Sequence, residues 1–410
     1  MLVTPTIRVK AVNVSKATEL QFEWITDHER FLALRDAWNL LASSAVETVF
    51  LTHDWLGTWL KELAPDAELH VLTAWDADRL VAALPLFGSQ RTGRGRHWAF
   101  MGTGTLTPNY LDMISEPASR DWARASFADQ LIAASAGWDV LEFDKLPADS
   151  ETARFLSAEF TRRGLSTTCA VSAVCLYCDL PATYAEYRAS RTRATRKKIR
   201  ETERWQEKEP ETRTLACADS EESALSAMRS LERFHQAHWE AKGYPGAFAD
   251  PRVVSFHERI VSSALAAGSL RMYTLTDADE LVAVSYNFRI GSTVQAYLSS
   301  YDSRWARSSP GVLLRAFVIE QSIVEGATRF DYLEGAEEYK KAWCTGTREN
   351  LRLRIFNRTL PASAFRLKYA ADEATVRLAR RWAPKNLRER AAKNIARRSV
   401  PEKPSGSADR

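Results

Sequence analysis

The sequence is poor in cysteine, with five among 410 residues and no framework spacing. This count excludes a disulfide-stapled secreted scaffold and is typical of a reducing compartment. The single Cys-x-x-Cys pair, Cys175 and Cys178, lies in an apolar run that we interpret as a strand. Because residues i and i+3 of a strand point to opposite faces, we expect a structural role for these cysteines.

Long apolar runs are also missing. A helix that spans a bilayer needs about 20 consecutive apolar residues, and stretches such as Leu80 to Phe87 are much shorter. The first 24 residues lack the apolar segment of a secretory signal. We therefore expect a cytoplasmic protein.

Excess charge of one sign is confined to the end of the chain. The net charge is +4, yet residues 361–410 hold 13 Lys/Arg against 5 Asp/Glu. Residues 361–398 are helical by composition, and such a basic helix can lie on an anionic membrane surface or against a membrane-bound synthase. A plain solvated helix is the alternative, and the composition of residues 399–410 predicts disorder.

What is present indicates a folded globular protein, with 45% hydrophobic residues and thirteen tryptophans. A chain of 410 residues exceeds the size that one core supports, so two domains are expected. We place the first at residues 1–180 and the second at residues 181–360.

Two hairpins of matching sequence predict an internal duplication. His70 to Leu84 (HVLTAWDADRLVAAL) resembles Arg271 to Val284 (RMYTLTDADELVAV), with an acidic turn at the same position in both. The surrounding apolar patterns alternate between strand and helix periods. They predict an α/β (α+β) fold in which each half is a mixed, mostly antiparallel sheet flanked by helices.

The second half is predicted to open with one long helix, Ala182 to Lys208. Later come three successive strands, a helix from Gly311 to Glu325, a strand from Arg329 to Leu333 and a short helix from Glu337 to Trp343. In the first half, Phe31 to Leu41 is predicted as a single helix by the same spacing of apolar residues.

The loop that leads into the Gly311 helix has the features of a phosphate site. Ser309 can cap the helix through its side chain, and Pro310 suits the first position. The unpaired amides of Gly311 and Val312 would then face an anion, assisted by Arg304 and Arg307. An ordinary capped helix is the alternative.

Three stretches of the second half carry a resemblance to a known family: FHQAHWEAKGYPGAFADP, YLSSYDSRWARSSPG and FDYLEGAEEYKKAW. They resemble the GNAT-type domain of the cellulose-biosynthesis (CelD-like) acetyltransferases, which is similar to the FemAB transferases. FLTHDWLGTWL, LVAALPLF and NYLDMI extend the resemblance into the first half. It implies two tandem GNAT-like domains over about residues 45–357. The usual phosphate-loop pattern Gln/Arg-x-x-Gly-x-Gly/Ala is incomplete here, since residues 304–311 contain one glycine.

The resemblance also implies a function. The donor is expected to be acyl-CoA, acting as a cosubstrate without a permanently bound cofactor. The acceptor is an amine or hydroxyl of a sugar or peptide in polysaccharide, including cellulose, or cell-envelope synthesis. Tyr339 would protonate the leaving thiolate, and Glu334 or Asp302 would act as the base. The residues expected to contact the substrate are Tyr301, Lys340, Trp343, His235 and Trp239.

His235 and His238 lie three residues apart on a helix, one turn after Glu232. Two histidines without a third ligand are a weak metal signal, so we expect no metal. Beside Trp239, the two histidines are more typical of a substrate-pocket wall or of a hydrogen-bonded pair on a helix face.

Nine Lys/Arg fall between Arg188 and Lys208. A solvated helix, a surface for an anionic acceptor and a nucleic-acid contact are all compatible with this pattern. We expect no nucleic-acid partner. Two alternatives to CoA-dependent transfer stay open: a FemAB-like enzyme that uses aminoacyl-tRNA, and a non-catalytic GNAT scaffold of a membrane-bound polysaccharide synthase.

Overall fold

A computed structural model describes residues 20–89, 95–335 and 337–382. Its helices are α1 (His28–Leu32), α2 (Arg35–Ala45), α3 (His53–Glu62), α4 (Arg120–Ala133), α5 (Glu151–Arg162), α6 (Tyr184–Ser190), α7 (Arg193–Glu207), α8 (Glu221–Glu240), α9 (Pro251–Ala266), α10 (Pro310–Val324), α11 (Glu338–Lys341) and α12 (Leu360–Trp382). The predictions for residues 383–410 lie outside the described residues.

The strands range in length from two to fourteen residues. They are β1 (Gln21–Ile25), β2 (Glu68–Leu69), β3 (Val71–Asp76), β4 (Arg79–Leu84), β5 (Leu86–Ser89), β6 (His97–Phe100), β7 (Ile114–Ser115), β8 (Val140–Pro147), β9 (Ser166–Asp179), β10 (Arg213–Cys217), β11 (Leu270–Asp277), β12 (Glu280–Ile290), β13 (Thr293–Tyr301), β14 (Arg329–Glu334) and β15 (Gly346–Phe356).

The chain divides into two compact units. Of the described residues, the first contains 20–45, 66–89, 95–172 and 351–382, and the second contains 46–65, 173–335 and 337–350. The division differs from a simple cut near residue 180, because the segment with α3 belongs to the second unit and the segment with α12 belongs to the first.

The first unit has two groups of strands. One is a four-stranded sheet in the order β1-β3-β4-β7, and the other runs β15-β8-β6-β5-β2. Helices α2 and α4 pack on the four-stranded sheet, and α5 packs on β8. Phe365 of α12 packs with Val140 and Phe356, so the basic C-terminal helix begins as part of this core.

The second unit is a sheet in the order β10-β11-β12-β13-β14-β9. All neighbours are antiparallel except β13 and β14, which are parallel. Helices α8 and α9 pack together with α3, while α10 packs on α7 and on the strands β11 to β13. The predicted mixed, mostly antiparallel sheet flanked by helices is therefore confirmed.

The two matching hairpins share their turn geometry as well as their sequence. Ala77 and Ala278 both have a left-handed backbone, with φ of 53° and 51°. The register shifts at one place in each, between Ala74 and Trp75 and between Leu275 and Thr276. An equal turn followed by an equal bulge supports the duplication.

A second repeated feature is a short parallel strand pair. β6 and β8 pair at three positions that end at Ala99 and Glu142, and β13 and β14 pair at three that end at Gln295 and Asp331. The last paired residue of the second strand is a buried carboxylate in both units, Glu142 in β8 and Asp331 in β14, and each is 2% exposed. This correspondence lies at the centre of each half.

Two predicted helices are each divided in the structure. Residues 182–208 form α6 and α7, because the side chain of Thr192 caps a new helix by accepting from the amide of Thr195. Residues 31–41 are divided between α1, which ends at Leu32, and α2. Because the helical spacing of apolar residues continues across both breaks, the sequence pattern did not indicate them.

Candidate active site

The central feature of the second unit is the separation of two parallel strands. β13 and β14 pair only over Thr293 to Gln295 and Arg329 to Asp331, although β13 continues to Tyr301 and β14 to Glu334. Leu333 has φ of 55°, and the register of β14 against β9 shifts after Asp331. The strand ends therefore offer an edge to an extended ligand.

The N-terminus of α10 follows this opening along the chain. Pro310 occupies the first helical position, as predicted. A Cβ built on Gly311 would stand 3.5 Å from Cδ1 of Tyr301, so the ring of Tyr301 lies against this turn. The structure thus places Tyr301 against Gly311, a contact that their separation of ten residues along the chain did not by itself predict.

Ser309 does not cap α10 in the way that was predicted. Its backbone is left-handed, with φ of 56°, and its side chain makes no capping hydrogen bond. Its carbonyl accepts from the amide of Val312 at 2.9 Å, so that amide is not free for an anion. A 3₁₀ helix, Ser303–Ser308, places Ser309 in this conformation.

Arg304 and Asp302 are engaged with each other. The guanidinium of Arg304 donates to Asp302 at 2.9 Å and to Glu280 at 3.2 Å, and the hydrogen bond from Arg304 lowers the pKa of Asp302. Asp302 caps the 3₁₀ helix. These contacts argue against Asp302 as a general base and against Arg304 as a phosphate ligand, while Arg307 is exposed.

Arg315 is a cation at this site that the sequence did not single out. Its guanidinium carbon lies 4.7 Å from the ring centroid of Tyr339 and 5.4 Å from that of Trp343. Arg315 lies one turn after Gly311 on α10. The four-residue spacing from Gly311 was the signal that could have found it.

The short helix α11 is held by Lys340. Its Nζ donates to the carbonyl of Glu334 at 3.1 Å and lies 2.9 Å from the carboxylate of Glu337. Lys340 is 8% exposed, so it anchors α11 to the end of β14 and is not placed to hold a phosphate. Tyr339, its neighbour, is 50% exposed.

Trp343 belongs to the core more than to a substrate wall. It is 4% exposed, and its carbonyl accepts from Tyr187 and from Arg191. Its contact with the site is through Arg315. Asp331 is buried and accepts from the amide of Leu333 at 2.7 Å, which favours a structural carboxylate.

A second group of predicted residues lies where α8 packs on β12 and β13 and where α9 packs on α8. Nε2 of His235 accepts from the indole N–H of Trp239 at 2.9 Å. Phe248 contacts the rings of both His235 and His257, and His257 contacts Tyr297. The structure thus joins His235 and Trp239 to an aromatic cluster that extends to β13.

Among the residues that the structure describes, no three His, Cys, Asp or Glu side chains are grouped as metal ligands. Within the same part of the chain, no helix is long and apolar enough to cross a membrane.

Residues 193–341 match the family described as "Acetyltransferase (GNAT) domain". These residues contain the separated strands, the start of α10 and the helix α11. This stretch is similar to GNAT-type acetyltransferase domains. No curated protein matches the sequence.

Solved structures resemble the chain in fold. FemX aligns with a TM-score of 0.56 and 10% identity over 81% of this chain and 96% of that chain. The C-terminal domain of an Agrobacterium fabrum protein described as a lysylphosphatidylglycerol synthetase aligns with a TM-score of 0.50 and 11% identity, over 83% and 95%. L-PGS from Bacillus licheniformis gives 0.50 and 12%, over 82% and 95%. At such identities the likeness concerns the fold.

Proposed function

We propose that this protein transfers an acyl group from acyl-CoA to an amine or hydroxyl of a sugar or peptide acceptor. The observation that carries the proposal is the separation of β13 and β14 beside the start of α10. The resemblance to CelD-like enzymes adds polysaccharide or cell-envelope synthesis as the setting, in the cytoplasm or at the inner face of a membrane.

The donor is proposed to lie along the free edge of β13, with its pyrophosphate at the first turn of α10. Gly311 keeps that turn open, because a glycine has no side chain to cover the helix end. Arg315, one turn further on, supplies the positive charge that Arg304 cannot, since Arg304 is bound to Asp302 and Glu280. Tyr301 covers the turn from the strand side.

The chemistry is proposed to take place where β13 and β14 diverge. The acceptor attacks the thioester carbonyl and gives up its proton to the Glu334 carboxylate, its new bond to carbon replaces the carbon–sulfur bond, and Tyr339 gives a proton to the departing thiolate. Tyr339 is exposed and is fixed by the stacking of Arg315. Glu334, at the end of β14, is half-buried and stands near the same opening.

Thermal unfolding with acetyl-CoA tests this proposal. A ligand at 100 times its Kd stabilises the folded state by about 2.7 kcal/mol, so acetyl-CoA is expected to raise the Tm by several degrees. Gly311→Trp fills the turn that faces Tyr301 and should abolish the shift. Val324→Trp, at the exposed far end of the same helix, is the matched control and should keep it. A wild-type Tm that does not respond to acetyl-CoA contradicts the proposal.

A second candidate, transfer from an aminoacyl-tRNA, is favoured by one surface. The first and middle turns of α7 expose Arg193, Lys198 and Arg200 to solvent, and exposed cations suit a phosphate backbone. Filter retention of charged tRNA at two salt concentrations distinguishes the candidates. Retention that falls with salt and needs these three residues supports tRNA, and its absence leaves acyl-CoA as the donor.

A further inference from the structure

An apolar stripe lies on the exposed side of the C-terminal helix α12. Leu360 and Leu367 are 88% and 70% exposed, and their spacing of seven residues, about two helical turns, places both on one face. A single exposed leucine is ordinary on a protein surface, whereas several apolar side chains along one face form a patch of the kind that marks an interaction surface.

The opposite face of α12 belongs to the core of the first unit. Ala362, Phe365 and Tyr369 follow one another at spacings of three and four residues, and the first two are buried. The ring centroid of Tyr369 lies 3.9 Å from the guanidinium carbon of Arg354 on β15. The helix therefore has one apolar face that is packed and a second that is exposed.

Polar contacts fix the rotation of α12 about its own axis. Oγ1 of Thr359 accepts from the amide of Ala362 at 3.2 Å and donates to Asp139 at 2.7 Å. One turn into the helix, the guanidinium of Arg366 donates to the hydroxyl of Ser166 at 2.7 Å. Because the helix is held from its first turn, the residues opposite the packed face are directed to solvent.

The apolar stripe continues beyond the two leucines. Its positions fall within about 80° of the helix circumference, at the 3.6 residues per turn of an α-helix. All of its described residues are exposed: Leu360, Ala364, Leu367, Ala371 and Ala374. The same spacing continues in the sequence to Leu378 and Trp382. The stripe thus follows the length of α12.

Positive charge accompanies the stripe. Lys368 is exposed next to Leu367, and Asp372 is exposed one turn later. In the sequence, residues 361–410 hold 13 Lys/Arg against 5 Asp/Glu, of which residues 383–398 hold six and one. Apolar side chains on one face of a helix that is rich in cations are typical of a helix that lies in the surface of a bilayer.

We propose that α12 docks this protein on a bilayer that contains anionic lipids. Leu360 and Leu367 enter the boundary between headgroups and acyl chains, and the cations of residues 361–398 contact the lipid phosphates. The docking is peripheral, since no helix within the described part of the chain could cross a membrane. The inference does not depend on the identity of the donor or the acceptor.

The same charges disfavour the other occupants of this face. A second copy of the chain would bring two basic segments together along the stripe, and like charges repel. A nucleic acid would satisfy the cations and leave both leucines in water, because its outer surface is made of phosphates. A bilayer with anionic headgroups satisfies the charge and the apolar side chains together.

Co-sedimentation of the full chain with lipid vesicles tests the inference. The vesicles contain phosphatidylcholine alone, or phosphatidylcholine and phosphatidylglycerol in equal parts. We expect binding to the mixed vesicles, with a partition coefficient at least about tenfold higher than for phosphatidylcholine alone. The double variant Leu360→Gln/Leu367→Gln should lower the partition coefficient about tenfold or more. Leu40→Gln, at a residue of the first unit that is also 70% exposed, is the matched control and should leave it unchanged.

Stability and oligomeric state complete the test. Both leucines are exposed, so the double variant should keep the wild-type Tm and the rise in Tm with acetyl-CoA, which separates docking from the proposed function. No binding by the wild type, equal binding to the two kinds of vesicle, or full binding by the double variant overturns the inference. A wild-type dimer that the double variant dissolves, found by sedimentation equilibrium without any vesicle binding, also overturns it and assigns the stripe to a second copy.

Discussion

The guanidinium of Arg315 lies 4.7 Å from the ring centroid of Tyr339. This contact joins the helix that we propose to hold the donor phosphates with the residue that we propose to protonate the thiolate. Arg315 contacts the ring of Tyr339, whereas the hydroxyl of Tyr339 is proposed to act on the thiolate. The ring should therefore affect binding of the donor, and the hydroxyl should affect the chemical step.

Replacement of Tyr339 should divide these effects. Tyr339→Phe keeps the ring that stacks on Arg315 and removes the hydroxyl, so we expect kcat to fall about 10² to 10⁴-fold, the range for loss of a general acid. KM for acetyl-CoA should stay within about twofold. Tyr339→Ala should also raise that KM. Tyr244→Phe is the control and should keep the wild-type kcat. A wild-type kcat in Tyr339→Phe as well would mean that another group is the general acid.

The anchoring of α11 by Lys340 predicts a stability difference between adjacent lysines. Lys340→Met removes the donor to the carbonyl of Glu334 and the partner of Glu337. Because leaving such groups unpaired costs about 1–3 kcal/mol, Lys340→Met should lower the free energy of unfolding by about that amount. Lys341→Met, at an exposed position, should change the free energy of unfolding by less than about 0.5 kcal/mol. Chemical denaturation measures both, and equal effects would contradict the anchoring role.

His257 predicts a loss of stability in mild acid. Burial lowers its folded-state pKa to about 3 from the ordinary 6.5. Below pH 6.5 the unfolded chain binds a proton that the folded chain refuses, so this contribution to stability is complete above pH 6.5. It declines by about 1.4 kcal/mol per pH unit as the pH falls towards 3.

Comparison with His257→Gln isolates that contribution. The neighbouring titratable groups are His235, Glu232 and Glu258, and they remain in both proteins. The difference in the free energy of unfolding between wild type and variant should therefore shrink between pH 6.5 and pH 4. A difference that is constant with pH would mean that His257 is protonated in the folded state.

The left-handed alanine of the second hairpin predicts an unusual response to glycine. Ala278 has φ of 51°, a region that costs an L-residue about 1–2 kcal/mol and a glycine nothing. Ala278→Gly should leave stability unchanged or raise it by up to about 1 kcal/mol. Ala237→Gly, at an exposed position in the last turn of α8, should lower it by up to about 1 kcal/mol. Loss of stability in both would contradict the duplicated turn geometry.

The duplicated hairpin and the order of strands and helices in the second half could be predicted because both depend on local patterns. Residues 271–284 include a recognisable turn sequence, and Pro310 is a residue typical of the first position of a helix. The narrower assignment to a CelD-like family and the identity of donor and acceptor stay predictions, since they depend on contacts with ligands.

The parts of the site that could not be predicted depend on the fold. The pairing of Arg304 with Asp302 and Glu280, which occupies two candidate residues, joins a loop to the start of β12. The stacking of Arg315 on Tyr339 joins α10 to α11. His257 gave no signal in its own segment, because its neighbours on β12 and β13 are distant in sequence.

The most direct test of the account is an equilibrium titration of acetyl-CoA into wild type and two arginine variants. We expect saturable binding by the wild type, affinity at least tenfold lower in Arg315→Ala, and affinity within about twofold of wild type in Arg304→Ala, whose guanidinium is already bound to carboxylates. No binding by the wild type, or an equal loss in the two variants, would contradict a donor site at the separation of β13 and β14.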